Sequence, residues 1–565
     1  MTQAATLPAV ATTLICSLTA PALALDNGLA ETPPMGWNTF NCWHGNYDAE
    51  MIKDVADAFV ASGLKDVGYN YVNIDGGWNR AGGTWLPEES KFPAGIAPVA
   101  DHVHEQGLML GIYCDTAQGQ EQEVAERFAT WGCDFLKHDD WTTSLDNPTW
   151  ETMRDALAAT DRPILYSIHT GGNDGRPEVA NMWRTSGDIG NTWESVMDCI
   201  GTYTDGGGAP GAWPDPDMLQ VGQHIPDGSP VLNFDEQKTH FSLWCVTSSP
   251  LILGNDVRAM FDETRSIVLN TEAIAVNQDI SFAELEDNPF GSGKRVRESD
   301  GMQLWVKPLA DGARAVLLVN TGESDQELSV SWSEAGLPEG EAQVRDLWAH
   351  ENLGGFTNRY AAQVPPHGCK FLKIVPGSEP IPEPEPTWFP APEAPTPIEP
   401  LARDGWSIES NLGNPEVYLD GDISTPVMAS GGGAENVLTI DMQQPQTFNT
   451  VLLDSPVAEV GDALKPYGAF APAQQFHVYV SEDGQTWGEP IYAGFVGPDN
   501  YAAATFPEQT ARHLRVVVRI SDERREMGWS DRYGAFGGED GQQTTEIRVG
   551  HAEQLPAWTQ RQRTP

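Results

Sequence analysis

Between about residues 33 and 290 the sequence alternates short apolar segments, typical of buried strands, with longer segments of helical periodicity. The helical pattern is clearest at 49–62, where Ile52, Val55 and Phe59 recur at the spacing of one helix face. Eight strand–helix pairs in about 250 residues agree with a (β/α)8 barrel, the α/β fold class predicted for this part of the chain. The alternative is a doubly wound sheet, which usually needs a glycine-rich phosphate loop that this sequence lacks. The predicted strands are 35–38, 71–75, 108–115, 135–139, 164–168, 182–188, 218–221 and 251–254.

Several of the predicted strands end in polar or aromatic residues. The clearest example is WGCDFLKHDDW at 131–141, where apolar Phe135 and Leu136 lead directly to Lys137 and Asp139. In a barrel of parallel strands the carboxyl ends meet at one mouth, and that mouth carries the active site. A charged surface turn would explain one such stretch, but not its repetition along the chain. The side chains expected near the mouth are Trp37, Asn38, Asp75, Trp78, Tyr113, Asp115, Lys137, His138, Asp139, Arg184, Asp188 and Asp217.

The net charge of −48 restricts the possible ligands of this mouth. A field of that sign repels phosphate backbones and anionic membranes, so neither nucleic acid nor a membrane is an expected partner. The predicted mouth combines carboxylates, which accept hydrogen bonds from hydroxyl groups, with cations that donate them and with aromatic rings. Such a composition favours a neutral polyhydroxylated ligand, such as an oligosaccharide or a polysaccharide.

Two carboxylates on opposite sides of a sugar can cleave a glycosidic bond. Asp139 is the better nucleophile, because the adjacent cation Lys137 keeps it ionised. Asp188 is the better acid, because desolvation in a cleft would favour its protonated form. A separation of about 5–5.5 Å between the two carboxyl groups would give retention through a covalent intermediate. For either aspartate alone, a structural role such as a helix N-cap is an equally good interpretation.

Eight stretches of the sequence carry a recognisable pattern: TPPMGWNTFN (32–41), YNYVNIDGGW (69–78), LGIYCD (110–115), FLKHDD (135–140), WRTSGDI (183–189), WPDPDML (213–219), THFSLWCVTSSPLILGND (239–256) and AVNQD (275–279). Together they resemble glycoside hydrolase family 27, the α-galactosidase group, over about residues 32–375. The resemblance implies that Asp139 is the nucleophile of a retaining mechanism, that Asp188 is the acid/base, and that the chemistry needs no cofactor. It also implies that Trp37, Asp75, Lys137, Arg184 and Asp217 line the sugar pocket, and Tyr113 at the end of strand three is expected to join them.

The sequence departs from the family pattern at two positions that bear on which sugar is recognised. Members usually carry two consecutive aspartates after strand two, whereas this chain has Asp75 followed by Gly76. The family's Cys-x-Trp or Cys-Glu-Trp motif after strand five is replaced by SIHTGG at 167–172. His169 in that segment either fills the vacated space or is a loop histidine without a ligand. The expected activity is that of an exo-acting α-galactosidase. The alternatives are a β-L-arabinopyranosidase, an isomaltose-releasing α-glucan hydrolase, or a catalytically weak glycan-binding protein.

The chain beyond the barrel changes character twice. Short strands at 290–376 predict an antiparallel β-sandwich like the one that follows the barrel in the same family. The segment 377–400 is rich in Pro and Glu and predicts an extended linker. Residues 401–551 contain YLDGDIST, YVSEDGQTW, ARHLRVVV and TEIRV, and resemble a discoidin-like (F5/8 type C) domain, an all-β jelly roll that often binds sugar. By that resemblance a structural Ca²⁺ would be held by oxygen ligands, although the DGD stretch could equally be a tight loop. The expected calcium ligands are Asp420, Asp422, Thr425 and Glu546.

The amino-terminal segment predicts export. No charged side chain precedes Asp26, the stretch 14–24 is mostly apolar, and Ala22-Leu23-Ala24 fits a cleavage site, although a positive leading segment is missing. Residues 1–25 are therefore interpreted as a signal peptide, residues 26–289 as the catalytic barrel and residues 552–565 as a tail. The seven cysteines are scattered and include no C-x-x-C pair, so buried thiols with one or two disulfides are expected. The sequence does not indicate an oligomeric state.

Overall fold

The computed structural model describes three successive units of the chain. The described residues are 25–45, 47–80, 85–115, 117–139, 149–169, 176–203, 208–222, 232–260, 262–280, 292–299, 301–384, 399–410, 415–419, 427–428, 435–454, 475–495, 502–519, 543–544 and 546–551.

The first unit is a closed barrel of parallel strands. Its strands are β1 Met35–Asn38, β2 Tyr71–Ile74, β3 Met109–Cys114, β4 Phe135–His138, β5 Leu165–His169, β6 Met182–Arg184, β7 Trp213–Asp215 and β8 Leu251–Leu253. They pair in the order β7-β6-β5-β4-β3-β2-β1-β8. A parallel bridge between Leu219, which follows β7, and Leu253 in β8 completes the ring. The predicted (β/α)8 architecture is confirmed.

Helices connect these strands, and their ends follow the local sequence. The helix α2 begins after Asp48, whose side chain accepts hydrogen bonds from the backbone of Glu50 and Met51, and it ends at Gly63 with φ 84°. The three apolar residues that predicted this helix are all fully buried. The helices are α1 Phe40–Trp43, α2 Ala49–Ser62, α3 Ala97–Glu105, α4 Glu121–Trp131, α5 Thr149–Ala158, α6 Trp193–Gly201, α7 Phe234–Val246, α8 Asp262–Val268 and α9 Thr271–Gln278.

Three strand predictions need correction. β7 is Trp213–Asp215 and not 218–221, because it pairs in register with β6, with Arg184 opposite Asp215. The chain then leaves the strand conformation at Asp217, which has φ 88°. β6 ends at Arg184, so Asp188 lies in the loop beyond the strand and not on it. β5 extends to His169, which is therefore a strand residue and not a loop residue.

The second unit is antiparallel, as predicted for the β-sandwich. A six-stranded sheet has the order β14-β13-β16-β11-β10-β9, and β12 pairs with β15 in a second sheet. Trp305, Leu317 and Phe371 of this unit belong to the same apolar cluster as the barrel interior. The strands are β9 Lys294–Ser299, β10 Met302–Pro308, β11 Arg314–Asn320, β12 Gln326–Ser331, β13 Glu341–Asp346, β14 Glu351–Thr357, β15 Arg359–Val364 and β16 Cys369–Pro376.

The third unit is all-β and has its own apolar core, which includes Tyr418, Phe448 and Phe506. Its named strands pair antiparallel. Its assignment as a discoidin-like jelly roll stays a prediction. The predicted calcium ligands Asp420, Asp422 and Thr425, the leader 1–24, linker residues 385–398 and the tail 552–565 lie outside the described residues. The strands are β17 Glu399–Pro400, β18 Ser407–Ser410, β19 Val427–Met428, β20 Glu435–Asp454, β21 Gln475–Ser481, β22 Tyr492–Phe495, β23 Ala502–Arg519, β24 Gln543–Thr544 and β25 Glu546–His551.

The cysteines of the described segments are not cross-linked. The expectation of one or two disulfides is wrong for these residues, since none of them forms a disulfide and most are buried. They are Cys42, Cys114, Cys133, Cys199, Cys245 and Cys369. Across the part of the chain that the structure describes, no helix is long and apolar enough to cross a membrane.

A buried lysine joins the barrel to the sandwich. Lys307 in β10 is fully buried, and its Nζ donates to Ser248 Oγ at 2.6 Å, to the Asn277 carbonyl at 3.3 Å and to the Val276 carbonyl. Burial lowers the pKa of Lys307 to about 7, although the charge of Asp279 opposes the shift. Removing the ammonium would leave buried acceptors without a donor.

We expect Lys307→Met to destabilise the protein by about 2–4 kcal/mol, because an unpaired buried acceptor costs about 1–3 kcal/mol. The measurement is thermal or urea unfolding. The control is Lys373→Met, which removes a partly exposed pair with Asp311 in the same unit and should cost about 1 kcal/mol or less. Equal effects of the two substitutions would contradict the prediction.

The lowered pKa of Lys307 also predicts how stability depends on pH. Since the unfolded pKa of lysine is about 10.4, the unfolded state binds more protons than the folded state between about pH 7 and 10, and the free energy of unfolding rises with pH in that range. Lys307→Met should remove that rise.

Candidate active site

The predicted site residues lie at the carboxyl ends of the barrel strands. Each occupies the last position of its strand or a position near it, so the closed ring directs them to one mouth. Trp37, Tyr113, Lys137 and Arg184 are in β1, β3, β4 and β6, Asp75 and Asp139 directly follow β2 and β4, Asp217 follows β7 by two residues, and Asp188 follows β6 by four.

Two buried ion pairs form the floor of the site. Lys137 Nζ lies 2.7 Å from Asp75 Oδ2, and Arg184 Nη2 lies 2.8 Å from Asp217 Oδ2. Burial opposes the charge of Lys137, but the carboxylates of Asp75 and Asp139 raise its pKa above the usual range. Both cations are therefore fixed in place and permanently charged.

The carboxylate of Asp75 is held from several sides. Asn38 Nδ2 donates to Asp75 Oδ2 at 2.8 Å, and the Gly76 amide donates to Asp75 Oδ1 at 2.8 Å. The hydroxyl of Tyr47 donates to the backbone carbonyl of Asp75. Such a carboxylate has one orientation, which suits recognition of a particular hydroxyl group.

Asp139 is held as an anion. His169 Nδ1 is 2.8 Å from Asp139 Oδ1, and the Asp139 amide donates to the Cys114 carbonyl of β3 at 2.8 Å. Burial acts to raise the pKa of Asp139. The hydrogen bond from His169 and the charge of Lys137 outweigh that effect and lower the pKa to about 2. Asp139 therefore has the ionisation state that a nucleophile requires.

Asp188 is connected to the same charge cluster through Arg184. Arg184 Nη2 donates to Asp188 Oδ1 at 3.3 Å. Burial acts to lower the pKa of Arg184, but the charges of Asp217, Asp188, Asp215 and Asp139 raise it above the usual range. The negative charges of both predicted catalytic residues, Asp139 and Asp188, thus raise the pKa of the same guanidinium. The acid role of Asp188 was predicted from burial in a cleft. This burial is absent, because the Asp188 side chain is 69 % exposed.

Trp37 and Asp217 are each held by further contacts. The indole of Trp37 is fully buried, donates to the Asn255 carbonyl at 2.6 Å and packs edge-on against Trp43. Asp217 has φ 88°, and its Oδ2 accepts from the Ile189 amide at 2.8 Å. A non-glycine residue at positive φ costs free energy and is found where a site requires it.

Two polar side chains of the site were absent from the predicted set. For His169 the sequence left two interpretations, a residue that fills the vacated space and a loop histidine without a ligand, and it did not predict the bond to Asp139. Asp215, at the end of β7, is buried, and its Oδ1 accepts from the Asp217 amide at 2.9 Å. Burial raises the pKa of Asp215 to about 6, with Arg184 opposing and Asp217 reinforcing the shift. The Asp-Pro-Asp sequence in WPDPDML was the available signal for Asp215.

Gly76 leaves open space beside Asp75. A Cβ atom at Gly76 would have its nearest neighbours in the Tyr113 ring, at 3.6 Å, which is ordinary van der Waals contact. The backbone there does not have a positive φ, so a Cβ atom would add no backbone strain. The backbone conformation at this position therefore does not require glycine.

The closed barrel, the strand-end carboxylates and the appended sandwich define a glycoside hydrolase. The family described as "Alpha galactosidase A" matches residues 32–279, and "Alpha galactosidase C-terminal beta sandwich domain" matches residues 299–374. The chain is 35% identical over 377 residues to an α-galactosidase of Cyamopsis tetragonoloba, with 62% of this chain and 88% of that protein covered. It is 39% identical over 383 residues to α-galactosidase 3 of Arabidopsis thaliana, with 63% and 84% covered. The crystal structure of α-galactosidase I from Mortierella vinacea covers 62% of this chain and 99% of that one, with a TM-score of 0.55 and 32% identity. The chain belongs to the α-galactosidase family.

Proposed function

We propose that the protein is a retaining, exo-acting α-galactosidase that removes terminal α-galactosyl residues from oligosaccharides or polysaccharides. The observation that carries this proposal is the fixed anion Asp139, whose charge acts on the guanidinium of Arg184, which in turn donates to a second, exposed carboxylate, Asp188. An ionised nucleophile and an accessible acid within the field of one guanidinium fit double displacement. The chemistry uses no cofactor.

In the first step a carboxylate oxygen of Asp139 forms a bond to the anomeric carbon while the bond from that carbon to the leaving oxygen breaks. The leaving oxygen takes the proton of Asp188. In the second step Asp188 takes a proton from water, the water oxygen bonds to the anomeric carbon, and the ester bond to Asp139 breaks. Two inversions give net retention, and both carboxyl groups return to their starting states.

The floor of the site supplies the hydroxyl contacts. Asp75 and Asp217 accept hydrogen bonds from sugar hydroxyl groups, and Lys137 and Arg184 donate them. All four are anchored by ion pairs, so little side-chain entropy is lost when a sugar binds. A neutral sugar also avoids the repulsion that this acidic cleft would exert on an anionic ligand.

The competing activities are those of a β-L-arabinopyranosidase, an isomaltose-releasing α-glucan hydrolase and a catalytically weak glycan-binding protein. A panel of nitrophenyl glycosides decides among them: α-D-galactoside, β-L-arabinopyranoside, α-D-glucoside and α-N-acetylgalactosaminide. We expect the highest kcat/KM for the α-D-galactoside, and we expect proton NMR to detect α-galactose as the first product. A first product of β configuration, or tight sugar binding without turnover, would reject the proposal.

Gly76→Asp is expected to raise kcat/KM for the α-galactoside over that for the β-L-arabinopyranoside by about two- to tenfold. A second carboxylate beside Asp75 can bind a hydroxyl on the 6-carbon, which the arabinoside lacks, and such a bond is worth about 0.5–1.5 kcal/mol. The control is Gly76→Ala, which fills the same space against Tyr113 without adding an acceptor. An unchanged ratio in Gly76→Asp, or an equal change in both variants, would contradict the prediction.

We further propose that the protein is exported and that the third unit is a discoidin-like domain that binds carbohydrate and holds a structural Ca²⁺. The apolar leader with its Ala22-Leu23-Ala24 site supports export. The antiparallel strands and separate core of the third unit support an independent β-domain. The calcium proposal is supported by the sequence of residues 418–425 together with Glu546.

A further inference from the structure

His169 hydrogen-bonds the predicted nucleophile. Its Nδ1 lies 2.8 Å from Asp139 Oδ1, and the two side chains are 15% and 18% exposed. An ionised carboxylate can only accept, so Nδ1 must carry the proton. In the described part of the chain, no other side chain hydrogen-bonds Asp139, since Lys137 makes its close contact with Asp75.

The barrel itself fixes this contact. His169 is the last residue of β5 and pairs with Arg184 in β6, and the Asp139 amide donates to the Cys114 carbonyl of β3. Both ends of the hydrogen bond are therefore attached to the sheet and not to mobile loops. Besides His169, four charged or titratable side chains interact electrostatically with Asp139: Lys137, Arg184, Tyr113 and, through Arg184, Asp188.

We propose that His169 is a positioning residue of this enzyme, which holds Asp139 Oδ1 so that Oδ2 attacks the sugar, and which speeds breakdown of the glycosyl-enzyme. This inference rests on the proposed role of Asp139. It assigns a function to the segment in which the chain departs from the motif of its family, a segment that carries no predicted site residue.

The two chemical steps use this hydrogen bond differently. When Oδ2 bonds to the anomeric carbon, the carboxylate loses its charge and the bond from His169 weakens. When water attacks that carbon, the electron pair of the Oδ2–carbon bond returns to the carboxylate, its charge is restored, and the bond strengthens again. A contact that strengthens on the way to the transition state accelerates that step, so His169 favours deglycosylation.

The test compares His169→Asn with His169→Leu. The two replacement side chains have nearly the same shape, but only Asn offers an amide donor near the position of Nδ1. The substrate is the best glycoside of the panel, as its 2,4-dinitrophenyl derivative, followed by stopped-flow. We expect deglycosylation to be about tenfold or more slower in His169→Leu than in His169→Asn, with a burst of dinitrophenol and a lower KM. The acid limb of kcat/KM should also move to higher pH in His169→Leu, because burial of Asp139 is then less opposed.

Failure of this inference is distinguishable from failure of the proposed function. A 5-fluoro-galactosyl fluoride that labels Asp139, followed by peptide mass mapping, supports the nucleophile role, and a label elsewhere rejects both proposals. If Asp139 is labelled but the two variants share one deglycosylation rate and one acid limb, His169 has no positioning role. The melting temperature of each His169 variant shows whether a slower rate comes from loss of the folded state or from the chemical step. If His169→Leu does not fold, His169→Ala serves as the variant without a donor, and the same comparison with His169→Asn supports or overturns the inference.

Discussion

Asp139→Ala is expected to lower kcat at least about 10³-fold, which corresponds to ~4 kcal/mol of lost transition-state stabilisation. The reason is the state of this carboxylate. It is ionised at any pH above about 3, because His169 and Lys137 lower its pKa to about 2 against the effect of burial. Asp139 also directly follows a barrel strand, and its amide is bonded to the neighbouring strand β3. The measurement is steady-state hydrolysis of the nitrophenyl galactoside.

Chemical rescue makes this prediction specific. Azide can occupy the space that the missing carboxylate leaves and attack the anomeric carbon in its place. One inversion from an α-glycoside gives the β-galactosyl azide. The control is Asp101→Ala, which removes an exposed carboxylate from α3 and should leave kcat unchanged. Activity within about tenfold of native in Asp139→Ala, or an α-azide as the rescue product, would remove Asp139 from the nucleophile role.

The barrel could be predicted from the sequence because its signal is local. Each strand is an apolar run and each helix an apolar face, so counting the alternation was sufficient. The ends of β6 and β7 were less predictable, since they depend on register with a neighbouring strand and on the conformation at Asp217. The segment 218–221 is as apolar as a buried strand, but it lies after the end of β7 at Asp215.

The site was predictable as a set of residues but not as a set of contacts. Charged residues at strand ends identified Asp75, Lys137 and Asp139, and the structure pairs the first two at 2.7 Å. The bond from His169 to Asp139 joins two strands and depends on how far each extends. Exposure is another property that sequence does not encode locally. Asp188 was expected to be desolvated, but the loop after β6 presents it to solvent.

This exposure gives the second large prediction, which concerns Asp188→Ala. Arg184 is closer to Asp217, at 2.8 Å, than to Asp188, at 3.3 Å, so the acid is held only weakly by its cation. A bound substrate that covers Asp188 would exclude water and favour the neutral acid, which the leaving oxygen needs. Asp188→Ala should then slow hydrolysis of galactosides with alkyl or sugar leaving groups by about 10²–10⁴-fold.

The same variant should behave differently with an activated substrate. A 2,4-dinitrophenolate leaves without a proton, so formation of the glycosyl-enzyme from that substrate should stay within about tenfold of native. Deglycosylation then lacks its base, the intermediate accumulates as a burst, and azide, which needs no base, intercepts it as the α-galactosyl azide. This product is of opposite configuration to the one expected from Asp139→Ala, so one assay separates the two roles. Asp198→Ala on α6, also exposed, serves as the control. Equal slowing of activated and unactivated substrates would show that Asp188 contributes something other than a proton.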